Sequence, residues 1–111
     1  MKSDMGGATA VIGTLIAAAE QKLPVKIVAI LPITDNAVSS DSYLPSDVIT
    51  AYNGKTIEII DTDAEGRLTL ADGLAYISQN YKTDVLIDLA TLTGSSVRMF
   101  GDTCAALFTN N

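Results

Sequence analysis

The chain has 111 residues, 48% of them hydrophobic and 18% charged, with a formal net charge of −6. This length suffices for one domain with one core, the acidic balance disfavours a nucleic-acid partner, and no apolar run approaches the ~18 residues of a membrane span. The absence of histidine excludes histidine catalysis and histidine zinc sites within these residues, and a single cysteine excludes an internal disulfide. We expect a cytoplasmic protein without an export signal, in which Cys104 is a buried structural thiol.

The amino-terminal part is predicted to form a helix followed by a buried strand. Small and apolar residues recur at helical spacing from Gly6 to about Lys22, and Pro24 forbids continuation of that helix. Residues 25–31 are β-branched and almost wholly apolar, as expected of a strand covered on both faces of an α/β sheet.

A hairpin is predicted after a polar loop at residues 34–47. Its strands are residues 48–52 and 55–60, because Asn53-Gly54 between them tolerates the positive φ of a hairpin turn. The acidic run that follows therefore begins at the end of a strand.

Helix and strand alternate again in the carboxy-terminal half. An apolar stripe predicts a helix from about Leu68 to Tyr81, and residues 84–89 and 104–108 predict two further strands, with a turn at residues 91–94. This alternation favours an α/β fold in which the chain contributes part of a mixed sheet flanked by helices. Sites in such sheets lie at the carboxyl ends of the strands.

The run DTDAEGR places three carboxylates, those of Asp61, Asp63 and Glu65, at alternate positions. Carboxylates this close repel one another unless a cation or a shared proton intervenes. In extended backbone they would point to one face and converge, which is a geometry for a divalent metal. Thr91 also follows a predicted strand, and it would share the crevice with Asp4 if the first helix begins there.

Two other interpretations of this cluster stay open. An EF-hand-like calcium loop needs oxygen ligands and a turn glycine at fixed spacings, which five residues approximate: Asp61, Asp63, Glu65, Gly66 and Asp72. That loop would be entered by a helix, whereas a strand is predicted. Alternatively, Asp61 or Asp63 caps the following helix, whose dipole favours acidic residues in its first turn.

The run DAEGRL at residues 63–68 resembles the signature of the leucyl (cytosol) aminopeptidases, two-metal exopeptidases whose motif is NTDAEGRL. Three further segments agree in order: residues 2–8 with the family's KxDMGGA, residues 45–60 with its PGDV hairpin, and residues 88–94 with its DLATLTG. The resemblance implies a zinc-exopeptidase-like catalytic domain. Residues 1–111 would be a single, incomplete internal fragment of it.

The resemblance implies the chemistry of four residues. Asp4, Asp63 and Glu65 match positions that ligate two divalent ions, Zn²⁺ or Mn²⁺ with Mg²⁺ as an alternative, and these ions activate a bridging water. Arg67 matches an arginine that helps hold a bicarbonate acting as general base, and its planar guanidinium suits an oxyanion.

The resemblance also implies substrate contacts. Thr91 and Leu92 match positions whose backbone contacts substrate or bicarbonate, and Met1 matches a methionine of the apolar pocket; for Met1 and Leu92 ordinary packing is the alternative. Asp61 stands where the family has asparagine, and it would add a charge beside the metals or a spare ligand. Gly66 and Gly94 belong to the matching motifs without an assigned contact. The pair Gly6-Gly7 is expected to allow close backbone approach beside Asp4.

Part of the family's site has no counterpart in these residues. The resemblance implies a lysine ligand, another aspartate ligand and a second catalytic lysine upstream of Asp4, and none is present. Leu44 and Ser46 also replace the arginine and glycine of the family's RPGDV. Because two metal ligands and the catalytic lysine are missing, we expect the 111 residues alone to be inactive.

The resemblance implies part of a metal-dependent aminopeptidase that releases amino-terminal residues, preferably apolar ones, from peptides, and a homohexameric parent. The acidic charge and the lack of a long apolar run lead us to expect neither a nucleic-acid nor a membrane partner. The alternative is a non-catalytic assembly or binding module that keeps the fold, for which the departures at Leu44, Ser46 and Asp61 are the argument.

Overall fold

The structure is a computed structural model that describes residues 4–110. In chain order its elements are α1 (Gly6–Glu20), β1 (Val48–Thr50), β2 (Thr56–Glu58), a 3-10 turn (Thr62–Ala64), α2 (Glu65–Asn80) and α3 (Ser95–Phe100). Helices with a small antiparallel sheet are what an incomplete α/β domain contains. Across residues 4–110, no helix has the length and apolarity that crossing a membrane requires.

Both predicted long helices form. The first begins at Gly6 as predicted and ends at Glu20, ahead of Pro24. The second begins at Glu65, earlier than the apolar stripe indicated, because the preceding 3-10 turn already directs the backbone into the helical region. It ends at Asn80, since Tyr81 has extended backbone with φ −132° and ψ 133°.

The hairpin forms around the predicted turn. β1 and β2 pair antiparallel with Ile49 opposite Ile57, and Gly54 takes the positive φ, 81°, that the turn needs. Each strand is three residues long, shorter than predicted. The turn is closed by the Ala51 amide, which donates to the Lys55 carbonyl at 2.8 Å.

The hairpin packs on α2 through its turn, and we call residues 48–60 and α2 together the hairpin–α2 unit. Ala51 and Ile59, 9% and 3% exposed, are its buried apolar residues. The backbone amide of Tyr52 donates to the Asp72 carboxylate at 2.8 Å, and the rings of Tyr52 and Tyr76 lie 5.5 Å apart. A hydrogen bond and an aromatic contact, both made by Tyr52, therefore join the hairpin to the helix.

The three strands predicted at residues 25–31, 84–89 and 104–108 are wrong for this structure, because these segments belong to no helix or strand. A strand exists through backbone hydrogen bonds to a neighbouring strand. Within the described residues none of the three segments forms such a ladder, and most of their apolar side chains stay exposed, 60% at Val25 and 74% at Ile87, while residues 29–31 are half-buried.

Two features near the carboxyl end also differ from the prediction. Cys104 is exposed rather than buried, since the apolar residues around it in sequence are not covered by other elements. α3 was not predicted; Gly101, with a φ of 75°, ends it.

Candidate active site

One segment, residues 89–92, contacts the amino-terminal ends of both long helices. A Cβ on Gly7 in α1 would overlap the carbonyl oxygen of Leu89, so only glycine permits this approach of the two backbones. A Cβ on Gly66 in α2 would come 3.3 Å from Leu92 Cδ2. The segment therefore runs beside the beginnings of both helices, where the site residues were predicted.

Asp4 and Thr91, 87 positions apart in sequence, meet at the start of α1. The Thr91 hydroxyl donates to Asp4 Oδ1 at 2.9 Å, and both side chains are exposed. Gly6 leaves room for the threonine, because a Cβ there would lie 3.0 Å from Thr91 Cγ2. The structure thus brings together residues from two separate motifs.

The acidic cluster is not extended, and the predicted convergence by strand alternation is wrong. Asp61 has extended backbone, Asp63 lies within the 3-10 turn, and Glu65 is helical with φ −67° and ψ −33°. The Asp61 carboxylate accepts a hydrogen bond from the Asp63 amide at 2.9 Å. Asp61 therefore caps the 3-10 turn. The alternative in which Asp61 or Asp63 caps the following helix is wrong for α2, which follows Ala64 without a side-chain cap.

An EF-hand arrangement is absent from these residues. Strand β2, rather than a helix, leads into the cluster. Asp72, which the calcium loop would need as its last ligand, instead accepts from the Tyr52 amide and holds the hairpin. The cluster lies between a strand and a helix, as predicted.

Glu65 is contacted from a loop that sequence analysis had not connected with the site. Asn36 Nδ2 donates to Glu65 Oε1 at 3.0 Å. Asn36 lies in the polar loop after residues 25–31, and Glu65 itself is half-buried. No spacing or motif in the sequence signals this contact, because the two residues are 29 positions apart.

The remaining predicted site residues lie apart from these contacts. Asp63 and Arg67 are exposed, the arginine in the first turn of α2. Gly94 is the residue preceding α3, and no atom lies within 4 Å of a Cβ built there. Met1 lies outside the described residues.

The donor atoms match divalent metals in kind. Asp4, Asp63 and Glu65 provide carboxylate oxygens, which Zn²⁺, Mn²⁺ and Mg²⁺ all accept. From residue 4 to residue 110, however, no three Asp, Glu, Cys or His side chains form a group that could hold an ion. These residues therefore supply at most two such ligands to any one ion.

Three comparisons place the chain among known proteins. Residues 1–111 match the sequence profile of the cytosol aminopeptidase family, catalytic domain. The chain is 55% identical to a probable cytosol aminopeptidase 1 of Shewanella oneidensis and 50% identical to a probable cytosol aminopeptidase of Chloroherpeton thalassium, each time over all 111 residues and 22% of the relative's length. Its structure resembles an apo leucyl aminopeptidase from Trypanosoma brucei with a TM-score of 0.84 and 42% identity, over 91% of this chain and 20% of that one.

Proposed function

The chain belongs to the cytosol aminopeptidase family, and from this we propose that it is part of a metal-dependent enzyme that releases amino-terminal residues, preferably apolar ones, from peptides. The chain spans about a fifth of the length of these relatives. The observation that carries the proposal is the hydrogen bond between Asp4 and Thr91, which joins two of the family's motifs beside the start of a helix.

In this proposal Asp4, Asp63 and Glu65 hold two divalent ions together with ligands outside these residues, because no complete group of three lies within the described part of the chain. When bound, such ions would supply a Lewis acid toward the scissile carbonyl and would make a water molecule a better nucleophile. Carboxylate oxygens from helix starts and turns suit this task, since their charge offsets that of the ions.

The chain's own groups then orient the reaction. Arg67, exposed in the first turn of α2, offers a planar guanidinium for an oxyanion such as bicarbonate. The Thr91 hydroxyl holds one oxygen of Asp4, and the contact of Leu92 with Gly66 keeps residues 89–92 against α2. The backbone of that segment would then face the peptide.

We place the parent enzyme in the cytoplasm, as a homohexamer.

The test is a chimera in which residues 1–111 replace the matching segment of the Shewanella relative. We expect it to hydrolyse leucine p-nitroanilide with Mn²⁺ or Zn²⁺, and Asp63→Ala to lower kcat on the order of a hundredfold or more. Asp41→Ala removes an exposed loop carboxylate outside every motif and should leave kcat unchanged. A folded chimera without turnover would contradict the proposal and favour a non-catalytic module.

The 111 residues by themselves are expected to be inactive, since they provide only part of the ligand set. The same assay on the isolated chain checks this. Turnover that disappears in Asp63→Ala would show that the fragment carries a complete site after all.

A further inference from the structure

Glu65 is contacted by a side chain that none of the family motifs described above contains. Within residues 4–110, the amide of Asn36 is the group that hydrogen-bonds to the Glu65 carboxylate, at 3.0 Å. We infer that Asn36 is a positioning residue, which sets the direction in which Glu65 presents its free carboxylate oxygens to a divalent ion. This inference rests on the proposed function.

The direction of the hydrogen bond follows from the chemistry of the two groups. An ionised carboxylate only accepts hydrogen bonds, so the asparagine must turn its NH₂ group, rather than its carbonyl oxygen, toward Glu65. The orientation of the Asn36 amide is thereby determined by its partner.

The contact leaves Glu65 able to bind a cation. One N–H bond occupies one lone pair of Oε1, whereas Oε2 and the second lone pair of Oε1 accept no hydrogen bond from residues 4–110. Because the amide is neutral, the carboxylate keeps its full negative charge, which a lysine or arginine in the same place would offset. A neutral donor therefore suits a carboxylate that must be held and still attract an ion.

The contact also restrains a flexible side chain. Glutamate loses considerable rotamer freedom when it is ordered, and an ion that binds a disordered glutamate must supply that ordering itself. Asn36 approaches from a separate loop, so it fixes Glu65 against a part of the chain other than its own helix. Thr91 has the same relation to Asp4 at the start of α1.

The first test examines the contact in the 111-residue chain without metal. In a ¹⁵N-labelled sample, Glu65→Ala should shift the side-chain amide signals of Asn36 and speed their exchange with solvent. The side-chain amide of Asn80, which donates to the Tyr76 carbonyl at 2.9 Å within α2, serves as the control and should not move. Unchanged Asn36 signals would overturn the inference.

The second test measures metal binding in the chimera with the Shewanella relative. Asn36→Ala should weaken apparent Mn²⁺ affinity, followed by the EPR signal of free Mn²⁺, by roughly tenfold and lower kcat more than it changes KM. Asn36→Gln, which keeps an amide donor, should restore part of the affinity. Ser42→Ala, in the same polar loop and without a side-chain partner within residues 4–110, should bind Mn²⁺ like the unmodified chimera.

The outcomes separate this inference from the proposed function. An active chimera in which Asn36→Ala binds Mn²⁺ as well as the unmodified chimera would overturn the role of Asn36 and leave the aminopeptidase proposal intact. An inactive unmodified chimera would count against the proposed function, and the amide signals of the isolated chain would still decide whether Asn36 holds Glu65.

Discussion

The hairpin–α2 unit and the α1 region are held together in different ways. In the hairpin–α2 unit Ile59 is buried, and the bond between Tyr52 and Asp72 joins the hairpin to the helix that follows it in sequence. α1 has no buried residue, and it meets residues 89–91 through two glycines and the bond between Thr91 and Asp4. The first region depends on apolar burial and the second on close backbone approach.

This difference separates the part of the fold that forms through residues close in sequence from the part that depends on a distant segment. The hairpin has ladder partners a few residues away, so its pairing needs no distant segment. Residues 84–89 have no ladder within the described part of the chain, so α1 packs on a segment whose apolar side chains stay exposed. Substitutions should therefore change stability through lost apolar burial in the hairpin–α2 unit and through lost backbone packing in the α1 region.

The largest expected effect is loss of apolar burial in the hairpin–α2 unit. Ile59→Ala should lower the free energy of unfolding by about 2–4 kcal/mol, because the side chain is 3% exposed and its removal leaves a cavity. Its neighbour Ile60 is 76% exposed, so Ile60→Ala should change stability by less than about 0.5 kcal/mol. Urea unfolding followed by circular dichroism measures both, and equal effects would contradict a buried centre at Ile59.

A substitution at the start of α1 should have a smaller effect that stays in the α1 region. Gly7→Ala should cost about 1–3 kcal/mol, because the new methyl group overlaps the Leu89 carbonyl and forces two backbones apart. Faster hydrogen exchange at the Thr9 amide, which bonds to the Met5 carbonyl, would report it, while the Ala51 amide of the hairpin keeps its protection.

Gly13→Ala is the matched control within the same helix. No atom lies within 4 Å of a Cβ at Gly13, so helix propensity alone acts and stability should rise by about 0.5–1 kcal/mol. If Gly7→Ala slowed hydrogen exchange in α1 as Gly13→Ala should, the close approach of α1 to residues 89–90 would not be what stabilises this helix.

The smallest effect concerns the polar link within the hairpin–α2 unit. Asp72→Ala removes the acceptor of the Tyr52 amide and should cost about 0.5–1.5 kcal/mol, seen as faster exchange of that amide. Asp72→Asn keeps an oxygen acceptor and should stay close to the unmodified chain. An exchange rate for Tyr52 that is the same in all three proteins would mean that the hairpin rests on apolar contacts alone.

Sequence reasoning succeeded where the signal is local. The 3.6-residue spacing of apolar residues predicted α1 and α2, and Asn53-Gly54 predicted the hairpin turn, because each depends on contacts a few residues apart. The cap that Asp61 forms is also local, although it lies on the 3-10 turn and not on the following helix that the sequence suggested.

Sequence reasoning failed where the outcome depends on distant partners. Apolar, β-branched runs predicted buried strands at residues 25–31 and 84–89, but a strand needs a ladder that the run itself does not contain. The exposure of Cys104 has the same origin, since burial depends on what covers a residue and not only on its neighbours in sequence.

The amino-acid sequence by itself determined the helices, the hairpin turn and the family motifs, because these depend on residue types at short, fixed spacings. The sequence placed Thr91 and Asp4 in one crevice only on the condition that the first helix begins there, and the tertiary structure decided that their side chains meet. The contact between Asn36 and Glu65 was decided by the tertiary structure alone. Those pairs are 87 and 29 positions apart, and no local pattern records which distant side chains the folded backbone brings within hydrogen-bond distance.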